Sequence, residues 1–538
     1  MDPAAGPTIP AFLAHCARRS GDDPLILLGD RRLTYAQAEA ESARLASGLL
    51  AAGVAKGARV GVLFPNGPEW VLAWLAASRI GAVVVPINTF YKPRELGYVL
   101  RHADVHTLLC TRSLLGNDYL ERLEAFAPSL ADAGPEVFVP ELPFLRRVHV
   151  SGGPGGRRFA RTLESLVGEG AGLDPALLRA AEAAVHVADP AVLIYSSGST
   201  ADPKGAVHVH GAILRHAENL NRFRDLEASD RIFSPMPFFW VGGFVFTLLS
   251  AMQAGASMIC EERFEPGETL ALLERERATI AAGWPHYSKA MVEHPSFPTR
   301  DLSSIRSGNL YAVLPEAARP KDPELRSNSL GMTETCGPHT IERMDVDLPE
   351  RLRGSFGRAV PGLEHKVVDP QTGDVLPPGQ TGEICVRGYS VMQGLHKVTR
   401  EQTFDADGFY HTGDAGHFDA DGVLYFEARL GEMIKTAGAN VAPREVEVVL
   451  ETLPEVSSAY VVGLPDAVRG ETVAAAVVLK PGARLDTESC RERIAPDLSA
   501  YKLPQQVFCC DEAELPFTDS GKIDKRRLAL LLQERVPS

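Results

Sequence analysis

The residues best suited to chemistry stand in one stretch, Tyr195-Ser196-Ser197-Gly198-Ser199-Thr200-Ala201-Asp202-Pro203-Lys204-Gly205. Hydroxyls at Ser196, Ser197, Ser199 and Thr200 surround Gly198, and Lys204 follows. Such a set can hold a polyphosphate: glycine frees backbone N–H groups to curl around oxygens, hydroxyls meet the remaining acceptors, and lysine adds a point charge. It is not a P-loop, because Lys204 is followed by Gly205 and Ala206 rather than by Ser or Thr. Taken alone, a Ser/Gly/Thr cluster is more often an ordinary loop, so the stretch needs support from what surrounds it.

The elements that must position it read as follows. An apolar run over 191–194 is a buried strand that delivers the loop. Upstream, Thr34 and Gln37 have the spacing of a capping box for a helix to residue 53, with Ala38, Leu45 and Leu49 on one face. Strands over 59–64, 82–87 and 106–110 alternate with helices over 69–81 and 92–103, the pattern of a parallel sheet covered by helices. The glycine-rich run 151–156 lacks the strand and helix flanks of a dinucleotide motif and reads as a loop. Beyond residue 230 come a strand, an apolar helix to about 254 and a strand over 256–260. Residues 362–387 read as short strands joined by turns, a β-rich subdomain. After Arg429 follow a helix over 443–453, strands over 459–463 and 472–479, and a helix over 487–498, a small unit of its own.

A chain of 538 residues exceeds what one core supports, so two or more domains are expected. Hydrophobic residues at 45% and charged residues at 23% describe an ordinary globular protein, and no apolar run reaches the roughly 18 residues of a membrane span. The net charge of −14 argues against a nucleic-acid partner. Eight scattered cysteines without a CxxC pair read as reduced, mostly buried thiols, and with no signal-peptide pattern at the start the expected location is cytoplasmic.

Five stretches, in order, resemble the motifs of the adenylate-forming superfamily: acyl-CoA synthetases, aryl-CoA ligases, adenylation domains and luciferases. They are 195–205; Asn328-Ser329-Leu330-Gly331-Met332-Thr333-Glu334-Thr335; Tyr410-His411-Thr412-Gly413-Asp414; Arg429 through Lys435 to Gly438; and Pro516-Phe517-Thr518-Asp519-Ser520-Gly521-Lys522. The resemblance implies an α/β fold. A large N-terminal domain, 1–429, of mixed, mainly parallel sheets sandwiched with helices would carry the β-rich subdomain. A small mobile α+β domain, 430–538, would follow. It also implies that a carboxylic acid attacks the α-phosphate of ATP and that a thiol then takes the acyl group.

Two anions must meet in that first step, so a cation belongs between them, and a metal draws charge onto the leaving pyrophosphate. By resemblance Lys522 is that cation, Thr333 donates to the α-phosphate and Glu334 binds Mg²⁺. Ser196, Ser197, Gly198, Ser199, Thr200 and Lys204 cradle the phosphates of ATP, Leu330 and Gly331 lie at adenine, Asp414 takes the ribose hydroxyls, and Arg429 contacts ribose or phosphate. Lys435 and Gly438 serve the second step with CoA, and the hinge of the domain swing falls at Gly431. The chain departs from the family at four places: Gly431 replaces aspartate or lysine, Leu330 an aromatic, Trp240 a histidine and Ala201 a glycine. The stretch 307–330 also looks shorter than usual.

The family builds its acid pocket from segments matching 238–244, 284–287, 307–310 and 335–339, here supplying Phe239, Trp240, Gly242, Gly243, Trp284 and Leu310. Amino-acid-activating relatives place aspartate at the position of Trp240. An ammonium group would stand unpaired in this apolar site at a cost in free energy, which argues against amino acids. Gly242 and Gly243 either lengthen the cavity or allow close helix packing. The expected enzyme is an AMP-forming acid–thiol ligase acting on a hydrophobic acid, fatty or polycyclic, with ATP and CoA as co-substrates and a homodimer left open. The rivals are an aryl-acid CoA ligase, an acyl-AMP ligase loading a carrier protein and a luciferase-like oxidoreductase.

Overall fold

The computed structural model describes residues 8–196, 202–430, 434–441, 443–517 and 523–536. It divides into two compact units. The larger comprises the chain up to Thr89, Val99–Tyr195 and Gly205–Ala428; the smaller gathers Phe90–Tyr98, Ser196–Lys204 and Arg429–Ser538.

In the larger unit the alternating strands Arg59–Leu63, Val83–Pro86 and Val105–Thr111 share one sheet, as expected, and the same unit holds a second sheet. The first runs Gly394–Leu395, Lys204–Val209, Pro190–Ser196, Val83–Pro86, Arg59–Leu63, Val105–Thr111, Arg147–Ser151, Ala160–Thr162. From Pro190–Ser196 to Ala160–Thr162 its strands pair in parallel. The second runs Ile280–Ala281, Arg231–Phe233, Ser257–Cys260, Pro24–Leu28, Arg31–Thr34, parallel except for its last pair. The helix Pro68–Arg79 belongs to a core shared by both sheets, and Trp70 and Trp74 on it are fully buried. Its apolar residues surround the axis, as a helix enclosed on all sides requires. The helix Tyr35–Ala51 opens on the expected capping box: Gln37 N–H donates to Thr34 Oγ1 at 3.1 Å and Thr34 N–H to Gln37 Oε1 at 2.9 Å. Ala38, Leu45 and Leu49 are its buried face.

The β-rich part is a four-stranded sheet, Leu363–Val368, Gly382–Gly388, Tyr410–Phe418, Leu424–Arg429. In the smaller unit Val456–Asp466 and Gly470–Leu479 form a long antiparallel hairpin, flanked in the sheet by Gln506–Cys509 and covered by the helices Pro443–Leu450 and Thr487–Ile494. Lys502 is buried there between Glu95 and Glu445, at 2.7 and 2.6 Å. All eight cysteines are free thiols. Among the described residues no helix is long and apolar enough to cross a membrane.

Candidate active site

Two chain segments far apart in sequence meet at the centre of the site. Leu330–Met332 and Gly337–Ile341 pair as an antiparallel hairpin, with Thr333–Thr335 as its single-turn connection. Thr335 closes that turn: its hydroxyl accepts from Met332 N–H at 3.2 Å and donates to Gly337 O at 2.7 Å. Gly331 permits the hairpin, because a Cβ there would lie 2.5 Å from the backbone of Gly337 and Pro338. His208 Nε2 donates to Thr333 O at 2.7 Å, and Met392 N–H donates to Glu334 O at 2.8 Å. Thr333 and Glu334, both half-buried, are therefore carried on a turn whose carbonyls are pinned from two sides. Burial pushes His208 down to about 4, which keeps the ring neutral and its Nε2 proton in place at pH 7.

Leu330 packs against Ile384 and Leu424. The carbonyl of Ile384 accepts from the Thr412 hydroxyl at 2.6 Å, and that hydroxyl accepts from Asp414 N–H at 3.1 Å. The hairpin and the Asp414 strand are thus joined through Ile384. Asp414 is buried, and its neighbour Gly413 donates its N–H to Glu383 Oε1 at 3.0 Å. A buried carboxylate on a strand fixed at both flanks suits a vicinal diol, since its two oxygens can accept two hydroxyl protons. Glu334 offers the hard oxygen donor that Mg²⁺ prefers, from a turn whose main chain is held on both sides.

Ser196 ends the strand Pro190–Ser196 and Lys204 opens Lys204–Val209. Ser197, Gly198, Ser199 and Thr200 lie outside the described residues, as do Gly431 and Lys522. Arg429 closes the strand Leu424–Arg429. In the smaller unit Lys435 and Gly438 belong to a tight hairpin, Ile434–Thr436 with Ala439–Val441, and both turn residues, Ala437 and Gly438, take positive φ of 48° and 78°. Such a turn matches the twist of its strands.

A cavity of about 410 Å³ adjoins Gly331. All four segments expected to build the acid pocket contribute to it, through Gly242, Trp284, Asn309 and Pro338 among others. Trp284 lines the cavity, and it is itself packed edge to face by Trp240 at 6.0 Å and stacked on Tyr287 at 5.8 Å. The helix Gly242–Leu249 at its border is wound as a π-helix; Thr247 Oγ1 donates to Gly242 O, five residues back, at 2.9 Å. Such wide turns are rare and concentrate at functional sites.

Of the six residues expected at the pocket, Gly242 and Trp284 line this cavity, and Phe239, Trp240, Gly243 and Leu310 are not in its lining. A Cβ on Gly243 would lie 2.1 Å from Pro237 O and 2.5 Å from Met236 O, so this glycine admits the preceding loop and does not line the cavity. Leu310 is fully buried with Phe233 and Ile259 in the core behind. Phe239 is buried edge-on against Trp240, at 5.2 Å. By contrast Gly242 lines the cavity, its Cβ direction meeting only Met236 Sδ, at 3.4 Å.

Sequence reasoning missed Arg224, Gly283 and Asn309 as site residues. Asn309 clamps Gly283 from both sides, accepting from its N–H at 2.8 Å and donating to its carbonyl at 2.9 Å. Gly308 beside it has φ 128° and sits against Ala281 O, which would lie 1.9 Å from a Cβ. The Gly308-Asn309 pair was the available signal. Arg224 gave none, since it belongs to no motif and has Arg222, Asp225 and Glu227 beside it in the chain.

With this geometry in hand, comparison with known proteins gives a consistent outcome. Residues 13–396 match the AMP-binding enzyme family and 445–522 its C-terminal domain. The chain is 32% identical to the 3-[(3aS,4S,7aS)-7a-methyl-1,5-dioxo-octahydro-1H-inden-4-yl]propanoyl:CoA ligase of Mycobacterium tuberculosis, over 97% of this chain and 98% of that one. It is 33% identical to the feruloyl-CoA synthase of an Amycolatopsis species, over 95% and 96%. Among solved structures it resembles the amide bond synthetase McbA of Marinactinospora thermotolerans, with TM-score 0.78 and 28% identity over 96% and 99% of the two chains.

Proposed function

The chain belongs to the AMP-binding enzyme family and is an AMP-forming acid–thiol ligase using ATP and CoA, and we propose that its acid is hydrophobic, fatty or polycyclic. The observation that carries this reading is the cavity beside Gly331, with Met236, Val241, Phe246, Ile280 and Trp284 in its walls. Burying an apolar acid there yields about 25 cal/mol per Å² removed from water. An α-ammonium group would find no carboxylate at Trp240. The relative with a bicyclic propanoate in its name supports the polycyclic alternative.

In the first step a carboxylate oxygen bonds to the α-phosphorus and the bond to the pyrophosphate oxygen breaks. Thr333 donates to the α-phosphate, Asp414 holds the ribose, and Lys522 stands between the two anions. Glu334 would hold Mg²⁺, which when bound draws charge onto the leaving pyrophosphate. In the second step the CoA sulfur bonds to the acyl carbon and AMP departs with the electron pair. Lys435 and Gly438 serve this step, after a swing about Gly431.

The test is pyrophosphate release over a panel of acids, with and without CoA. Highest kcat/KM on long-chain or fused-ring acids, with thioester formed only when CoA is present, is expected. An optimum at benzoate-sized acids would replace this reading with an aryl-acid ligase.

A further inference from the structure

Arg224 lines the same cavity and is only 7% exposed. One of its N–H groups donates to Phe246 O, and its guanidinium lies 4.0 Å from the centre of the Phe246 ring. Among the described residues it has no ion-pair partner. The carboxylate whose field reaches it, Asp230, is fully engaged elsewhere. Asp230 accepts from Arg306 Nε and Nη2 at 3.0 and 2.7 Å, from the Thr279 hydroxyl at 2.7 Å and from Glu227 N–H at 2.8 Å. Arg224 carries five donors in a rigid fork, and protein carbonyls and rings take few of them.

A buried cation with unspent donors is costly unless something supplies acceptors, and here the open side is a ligand cavity. Burial pushes its pKa down to about 10, which still leaves it charged at pH 7. The cavity lining combines apolar Leu226, Phe246 and Met344 with the neutral polar Ser307, Asn309, Ser327 and Ser329, and among the described lining residues Arg224 alone is charged. The reacting carboxyl belongs at Thr333 and Glu334, where the α-phosphate is held. Arg224 therefore has another part of the acid to meet.

Resting on the ligase reading above, we propose that the acid carries a second oxygen acceptor away from its reacting carboxyl, a ketone or a carboxylate, and that Arg224 binds it. A site built to hydrogen-bond a substrate group discriminates strongly against analogues that lack it, because its own polar atoms are then left unpaired.

The experiment compares acids of equal length: octanoate, 7-oxooctanoate and octanedioate, each by pyrophosphate release and, without ATP, by calorimetric binding. The oxo or dioic acid should exceed octanoate on the order of 100-fold in kcat/KM and in affinity. Which of the two leads tells ketone from carboxylate recognition. In Arg224→Met that ratio should fall to near one, and Arg224→Lys should restore part of it. Octanoate equal or superior in the wild type overturns the proposal, as does Arg224→Met lowering all three acids in the same proportion. If no acid releases pyrophosphate, the ligase reading fails while the binding ratio still decides the role of Arg224. Should Arg224→Met not fold, the wild-type ratios decide alone.

Discussion

Gly242 and Gly243 are adjacent and identical, yet the structure assigns them opposite sensitivities. Gly243→Ala places a Cβ 2.1 Å from Pro237 O and 2.5 Å from Met236 O, both backbone atoms. Alanine gains about 1 kcal/mol of helix propensity over glycine, but overpacking against fixed backbone costs about 1–3 kcal/mol and shifts the helix that borders the pocket. The clash should win: a lower urea midpoint and a loss of turnover shared by short and long acids. Gly242→Leu meets only a flexible methionine sulfur at ordinary contact distance and extends into the cavity. It should fold normally and shorten the accepted acid. If four methylenes no longer fit, the loss is about 3 kcal/mol, or roughly 100-fold in kcat/KM. The assay is pyrophosphate release over straight-chain acids from butyrate to dodecanoate, beside urea unfolding of both variants. The reasoning is refuted if Gly242→Leu depresses butyrate as much as dodecanoate. It is equally refuted if Gly243→Ala is as stable as wild type and loses only long acids.

Other consequences can be checked directly. Burial holds His208 and His365 at about 4 and His216 at about 3, below the unfolded value near 6.5, so the unfolded chain binds protons that the native chain refuses. Stability should be complete above pH 6.5 and fall toward pH 4, by up to about 1.4 kcal/mol per pH unit for each histidine; equal urea midpoints at pH 7 and 5 would contradict this. Gly331→Ala drives a Cβ into the Gly337 backbone and should abolish adenylation with a loss of about 1–3 kcal/mol of stability, seen together in pyrophosphate release and unfolding. Lys522→Ala should slow acyl-AMP formation by about 3–4 kcal/mol yet spare thioester formation from supplied acyl-AMP, and equal loss in both half-reactions would sink the two-step assignment. Lys502→Met leaves Glu95 and Glu445 as buried, unpaired carboxylates, so unfolding measurements should show a loss of about 3–5 kcal/mol.

The sequence by itself determined whatever rests on near neighbours. Thr34 and Gln37 specify a helix start three residues apart, and the structure forms both bonds. Alternating apolar runs specify strands and helices, and five motifs in order announce the AMP-binding enzyme family, because each motif is a short contiguous stretch that can be read without knowing what packs against it. Tertiary structure decided what depends on distant packing. Which strands share a sheet follows from pairing across the chain: Pro24–Leu28 pairs with Ser257–Cys260, more than 200 residues away, and no local pattern announces that. Gly242 and Gly243 look alike as letters, and only the approach of the Met236-Pro237 backbone makes one a wall of the cavity and the other a packing position. Arg224 carries no signal as a letter, and only the packing of Phe246 against it buries its guanidinium at the cavity, since burial is a property of the whole fold and no local pattern encodes it.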